Sequence, residues 1–150
     1  MKKDTKQISF QLSGIRTEQF ATFEENYSAK KETELGIGLQ FKLDEQGRHI
    51  AAFLRFDFIQ VKKVFLKIEI SCHFQIEDKS WKTFIQDNDK KLVLPKEFLA
   101  HLAMITTGTS RGVLFAKTEG TAFSNFIIPT LNVTELISED AVFESNEKTN

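Results

Sequence analysis

A single cysteine, Cys72, is all the thiol in this 150-residue chain, which excludes an intramolecular disulfide and a thiolate zinc site. Charge of one sign is missing as well. Against 20 Lys+Arg stand 21 Asp+Glu, a net of −1, so composition gives no electrostatic case for nucleic acid or an anionic membrane. No stretch reaches the roughly 18 apolar residues of a membrane span, and the start MKKDTKQISF lacks the apolar run of a signal peptide. These absences lead to the expectation of a cytoplasmic protein without membrane insertion. His49, His73 and His101 are scattered, no two at helical ligand spacing, so neither a metal nor another cofactor is expected. Tyr and Trp occur once each, whereas Phe occurs 15 times. Phe has no polar handle, so it serves cores and apolar interfaces alike.

What is present is organised around Leu35 to Ile76. Leu35, Ile37, Leu39, Phe41 and Leu43 recur at every second position, the period that puts them on one face of a strand. Asp44-Glu45-Gln46-Gly47 supplies turn chemistry. Ile50, Ala52, Leu54, Phe56 and Phe58 alternate next, and Phe53 and Ile59 make the opposite face of this middle strand partly apolar too. Val61-Lys62-Lys63-Val64 reads as a tight reversal into the longest alternation, from Val64 to Ile76, whose facing set Lys67, Glu69, Ser71, His73 and Gln75 is polar. An antiparallel meander with one greasy face needs a covering layer and leaves its other face wet. At this length the chain is one domain, 1–150, with an ordered core over about 7–138 and a mobile acidic tail at 139–150.

Upstream, Ile8, Phe10 and Leu12 alternate as a first strand that ends near Ser13-Gly14 or runs on through Ile15. From Thr17 to Thr33 no period appears, and the segment reads as a long loop carrying Phe20, Phe23 and Tyr27. Such loops are uncommon and often functional. Its rings either pin the loop to the sheet or border a groove. Downstream, Asp78 to Phe84 reads as a short turn or edge strand burying Trp81 and Phe84. Pro95 sits where a helix begins, and Phe98, Leu99, Leu102 and Ile105 keep helical spacing. The β-branched residues and glycine of Thr106-Thr107-Gly108-Thr109 predict a kink or break, giving two helical pieces that end at Gly120. Close approach to the sheet is the expected reason for Gly112. Thr121 to Leu131 reads as an extended connection, and Asn132 or Thr130 as the cap of a last short helix with Val133, Leu136 and Ile137.

Catalytic motifs are absent. Gly108-Thr109-Ser110-Arg111-Gly112 lacks the Gly-Lys-Ser/Thr ending of a phosphate loop, Cys72 reads as a small buried hydrophobe, and no carboxylate pair sits in an apolar setting. The chain is expected not to be an enzyme.

The order of elements, and above all Ser110-Arg111-Gly112-Val113-Leu114-Phe115-Ala116-Lys117-Thr118-Glu119-Gly120-Thr121 followed by Phe126-Ile127-Ile128-Pro129-Thr130-Leu131-Asn132, resembles the SecB export chaperones over about Gln7 to Ser138. The resemblance implies an α+β fold, a four-stranded antiparallel sheet covered by C-terminal helices. It implies a homo-oligomer, dimer or tetramer, with Leu66, Ile68 and Ile70 near the contact. Phe23 and Tyr27 match the spacing of a phenylalanine and a tryptophan that border the family's client groove. The implied activity is that of a nucleotide-independent holdase for unfolded or pre-secretory polypeptides, with Phe23 and Tyr27 at the groove rim and Phe20 and Trp81 behind them. One departure stands out: the export members end in a basic, cysteine-containing zinc-binding tail that docks on the SecA motor, and here the tail is acidic and has no cysteine. That puts delivery to the motor in doubt and keeps open a dedicated chaperone of one client, such as an antitoxin. The competing class is an apolar-ligand carrier or a plain structural oligomer.

Overall fold

A computed structural model describes residues 7–144. The chain builds an α+β architecture on a four-stranded antiparallel sheet of β1 (Phe10–Thr22), β2 (Glu34–Asp44), β3 (His49–Gln60) and β4 (Lys63–Ile76), in the order β1-β4-β3-β2. The three alternating segments become β2, β3 and β4, and Leu35, Ile37 and Leu39 face Phe58, Phe56 and Leu54 across the first pair. A two-residue connection, Val61-Lys62, joins β3 to β4 with φ of 47° and 62°, the left-handed conformations that a tight hairpin between right-twisted strands requires.

The first strand is longer than its alternation suggests. β1 runs on to Thr22 and takes in Phe20, because bulges between Leu12 and Gly14 and between Thr17 and Gln19 reset its register against β4. Leu12, Ile15, Thr17 and Phe20 therefore lie on one face, opposite Phe74, Cys72, Ile70 and Ile68, although their spacing is not two. The crossover loop shrinks to the stretch between Thr22 and Glu34, with a single 3-10 turn at Glu24–Asn26. A further bulge lies in β4: Phe58 pairs with Leu66 and Ile59 with Val64, which leaves Phe65 without an opposite residue. Two residues of a bulged strand then oppose one, and Phe65, fully buried, packs with Phe58 of the core face.

After β4 come α1 (Asp78–Lys82), the short strands β5 (Ile85–Gln86) and β6 (Lys91–Leu94), α2 (Lys96–Thr118), α3 (Val133–Leu136) and β7 (Ala141–Glu144). The expected break in the main helix does not occur; α2 is continuous. Its interior hydroxyls explain how. Thr106, Thr107, Thr109 and Ser110 donate to the carbonyls of Leu102, Ala103, Ile105 and Thr106 at 2.7–2.9 Å, so buried β-branched and polar residues are satisfied inside the helix's own turns. Phe98, Leu99, Leu102, Ala103 and Leu114 lay α2 on β3 and β4. Beneath it Ile68, Ile70, Cys72 and Phe74 have no exposed surface.

The tail also differs from expectation. Asp140 accepts the backbone N–H of Lys96 at 2.9 Å, at the N-terminus of α2, where a carboxylate both caps the free N–H and complements the helix dipole. Ala141–Glu144 then pairs with β6. Residues 1–6, before the expected ordered core, and the rest of the expected tail, 145–150, lie outside the described residues.

Candidate functional site

The four aromatic residues singled out in the sequence do not come together. Phe20, Phe23 and Tyr27 gather where β4 begins: the Phe23 N–H donates to the Phe65 carbonyl at 2.7 Å, and Tyr27 packs on Phe65 with 5.1 Å between ring centroids. Trp81 lies beyond the far end of β4, buried against Phe84, which in turn stacks on Phe98. At about 3.3 Å per strand residue the two groups are separated by roughly 35 Å of β4, so Trp81 is core of the opposite end and does not stand behind Phe23 and Tyr27. Leu66, Ile68 and Ile70 are likewise core. Each has no exposed surface in the single chain, and α2 with its own sheet covers them, so a second subunit would not touch their side chains.

The crossover loop is ordered by polar pins that its sequence did not reveal. Gln60, 3% exposed at the end of β3, accepts the Ser28 N–H at 2.8 Å and donates to the Ser28 carbonyl and the Thr33 hydroxyl, each at 3.1 Å. Asn26 Nδ2 donates to the Val64 carbonyl at 3.0 Å. A buried amide with several partners fixes loop geometry in a way apolar contacts alone do not.

Across from this loop lies a groove of about 390 Å³, lined by Gly108, Arg111, Gly112, Phe115, Phe126 and Ile127. Its floor is helix backbone, since a Cβ at Gly108 or Gly112 would meet nothing within 4 Å. Gly112 thus faces open space on α2 and not the sheet. The wall is the 126–129 segment, fastened by Arg111, whose Nε and Nη2 donate to the carbonyls of Ile128 and Pro129 at 2.7 and 2.9 Å. That engages the guanidinium with backbone and leaves the remaining lining apolar. Ile127 is 62% exposed and Phe115 55%, while Phe126 turns inward against Phe58, Phe65 and Tyr27. Through Phe126 the groove is continuous with the aromatic crossover loop. Phe20 lies on the same side of the molecule as the end of α2, with the Lys117 ammonium 5.3 Å from its ring centroid. Phe115 and Ile127 look like core positions in the sequence; Phe115 is exposed by the face that α2 turns outward, and Ile127 by the path of the 126–129 segment.

The wet face of the sheet holds a second polar group. Ser71 Oγ donates to Glu18 Oε1 at 2.7 Å and lies 2.9 Å from His73 Nε2, and His73 Nδ1 is 3.3 Å from His49 Nε2, with the two imidazoles stacked. Burial, then the nearby His49 and Arg16, push the His73 pKa down, and Glu18 opposes them. Ser71 has no exposed surface, so no substrate reaches its hydroxyl and the arrangement is a structural network. Among the described residues no group of three or more His, Cys, Asp or Glu is placed to hold a metal ion, and no helix is long and apolar enough to cross a membrane.

No family model matches the chain, and no relative among curated proteins does. Solved structures to which it is similar include the SecB-like chaperone Rv1957 of Mycobacterium tuberculosis in complex with a ChAD peptide from the Rv1956 HigA1 antitoxin. That similarity has a TM-score of 0.47 at 10% identity, over 81% of this chain and 90% of the other. A protein of unknown function from Streptococcus agalactiae gives a TM-score of 0.36 at 16% identity, over 83% of this chain and 98% of the other.

Proposed function

We propose that this chain is a SecB-like chaperone that holds non-native polypeptide, without nucleotide, in the groove between α2 and the 126–129 segment. One observation carries the reading: a solvent-open groove lined by Phe115, Phe126 and Ile127 and floored by the exposed backbone at Gly108 and Gly112. An unfolded segment offers apolar side chains and extended backbone, and such a surface takes both without imposing one geometry. The groove contains no titratable group free to act on a substrate, because Arg111 is engaged with two carbonyls. The resemblance of Ser110–Thr121 and Phe126–Asn132 to the family's main helix and following segment adds to the reading.

The finer elements belong to the same proposal. The protein acts as a homo-oligomer, dimer or tetramer, and its client is either unfolded chains in general or one dedicated partner of the antitoxin kind. The test is suppression of aggregation of a chemically unfolded protein at stoichiometric amounts. Ile127→Lys should abolish suppression while the melting temperature stays unchanged. Wild-type protein that fails to suppress aggregation and instead co-purifies with extractable lipid would replace this reading with an apolar-ligand carrier. Light scattering decides the assembly, and a monodisperse monomer at micromolar concentration removes the oligomer.

A further inference from the structure

The wet face of the sheet brings together two histidines that lie 24 residues apart in the chain. Register does it: Ala51 faces His73 and His49 faces Gln75 across β3 and β4, so the two imidazoles are diagonal neighbours on one face. Their nearest nitrogens, His73 Nδ1 and His49 Nε2, are 3.3 Å apart. That is longer than the usual ~2.9–3.0 Å of a hydrogen bond donated by N–H. It is also the separation, about 3.3 Å, of two nitrogens that ligate one tetrahedral ion at zinc–imidazole bond lengths of about 2.0–2.1 Å. The groups behind fix the tautomer. Ser71 donates its single hydroxyl proton to Glu18 Oε1 at 2.7 Å, so its oxygen accepts from His73 Nε2 at 2.9 Å. Nε2 therefore carries the ring proton of neutral His73, and Nδ1 keeps its lone pair. A far N–H tied to a fixed acceptor, here a hydroxyl backed by a carboxylate, is what orients a histidine toward a metal.

The residues flanking His73 in register are small, Gly14 on β1 and Ala51 on β3. Both rings are half-buried, so an ion reaches the nitrogens from solvent although Ser71 stays inside. Phe53 packs edge-on against His73 with 6.2 Å between centroids and steadies the ring. Of the charged residues acting on His73, Glu18 favours a cation there and Arg16 opposes one. We propose that His49 and His73 form a reversible site for a divalent transition-metal ion of the zinc class, with water completing its coordination. Neutral imidazole suits such ions, whereas magnesium and calcium take oxygen ligands. Two protein ligands are fewer than the three or four of a resident zinc, so the pair supports affinity in the micromolar range and not a tightly held metal. A bound ion ties β3 to β4 on the face opposite α2, independently of the groove and of what fills it.

Titration of the full chain, carrying no histidine tag, with zinc alone tests this, read by competition with a chromogenic chelator and by the melting temperature. One zinc per chain should bind and raise the melting temperature; magnesium should do neither. His49→Gln and His73→Gln should each weaken binding by at least about tenfold, the low end of what loss of even an outer partner costs, and should remove the thermal shift. His101→Gln, on α2, should change nothing. Glu18→Gln should weaken binding a few-fold and Arg16→Gln should tighten it; both positions are exposed, and circular dichroism confirms the fold of every variant. In nuclear magnetic resonance the imidazole signals of His49 and His73 should move together as zinc is added, with those of His101 unmoved. No binding at millimolar zinc overturns the site. So does affinity that survives either His49→Gln or His73→Gln in a folded variant, because the ion needs both nitrogens, and so does affinity lost with His101→Gln.

Discussion

The ring of Tyr27 meets Phe126 edge-on, with 5.7 Å between centroids and 90° between planes. Tyr27 also packs on Phe65 and Phe123, so this one side chain both anchors the crossover loop and supports the wall of the groove. Its neighbour in the loop differs in exposure: Tyr27 is half-buried among these rings, and Phe23 is 38% exposed.

Replacing the two separately should give opposite signatures. Tyr27→Ala removes a ring packed on three others and should cost about 2–4 kcal/mol in urea denaturation. Phe23→Ala should cost less than about 1 kcal/mol and show its effect in the affinity for unfolded polypeptide. Equal losses of stability from both would mean that Phe23 is anchored as firmly as Tyr27.

At Gly112 stability and client holding should come apart in the other direction. The position is helical with open space outside it, so Gly112→Ala should raise stability by roughly 0.5–1 kcal/mol. Gly112→Leu should keep the fold but fill the groove, with aggregation suppression lost. A Leu variant that suppresses aggregation as well as wild type would move the client elsewhere.

Asp140 ties the end of the chain to the start of α2. Asp140→Ala should lose about 1 kcal/mol through the vacated cap. Truncation after Ser138 should lose more, because it also removes the β7 strand and the Phe143 that faces Leu92. Calorimetry showing an unchanged melting temperature for the truncated chain would contradict the arrangement.

His73 makes stability depend on mild acid. Its pKa is held below the ordinary 6.5 by burial and by the nearby His49 and Arg16, so the unfolded chain takes up this proton first. Stability is full above about pH 6.5 and falls as the pH drops through the folded value. His73→Gln should flatten that part of the stability curve; an unchanged slope between neutral and mildly acid pH would assign it to other groups.

Much of the sheet was legible because β2, β3 and β4 alternate cleanly and their turns are short. β1 was not, since two bulges turn the spacing of Leu12, Ile15, Thr17 and Phe20 into three, two and three. The helix looked broken because β-branched residues and glycine count against helix in a local reading, whereas here the hydroxyls bond within the helix and Gly108 and Gly112 face outward. The site was half visible. The crossover aromatics announced themselves among polar neighbours, but Phe115 and Ile127 are indistinguishable in one dimension from Leu114 and Ile128, which are buried. Leu66, Ile68 and Ile70 were placed near a subunit contact by the resemblance alone, and their alternation along β4 lays them on the core of the single chain.

Cys72 sits at the centre of β4 beneath α2 with no exposed surface, the only thiol in the chain. It is therefore a clock built into the molecule. A thiol reagent in solution modifies it only when α2 lifts from the sheet, so the labelling rate, compared with that of an unfolded chain, reads the opening equilibrium of the core directly. A client that fills the groove without disturbing the core would leave that rate alone, and one that pries α2 away would quicken it.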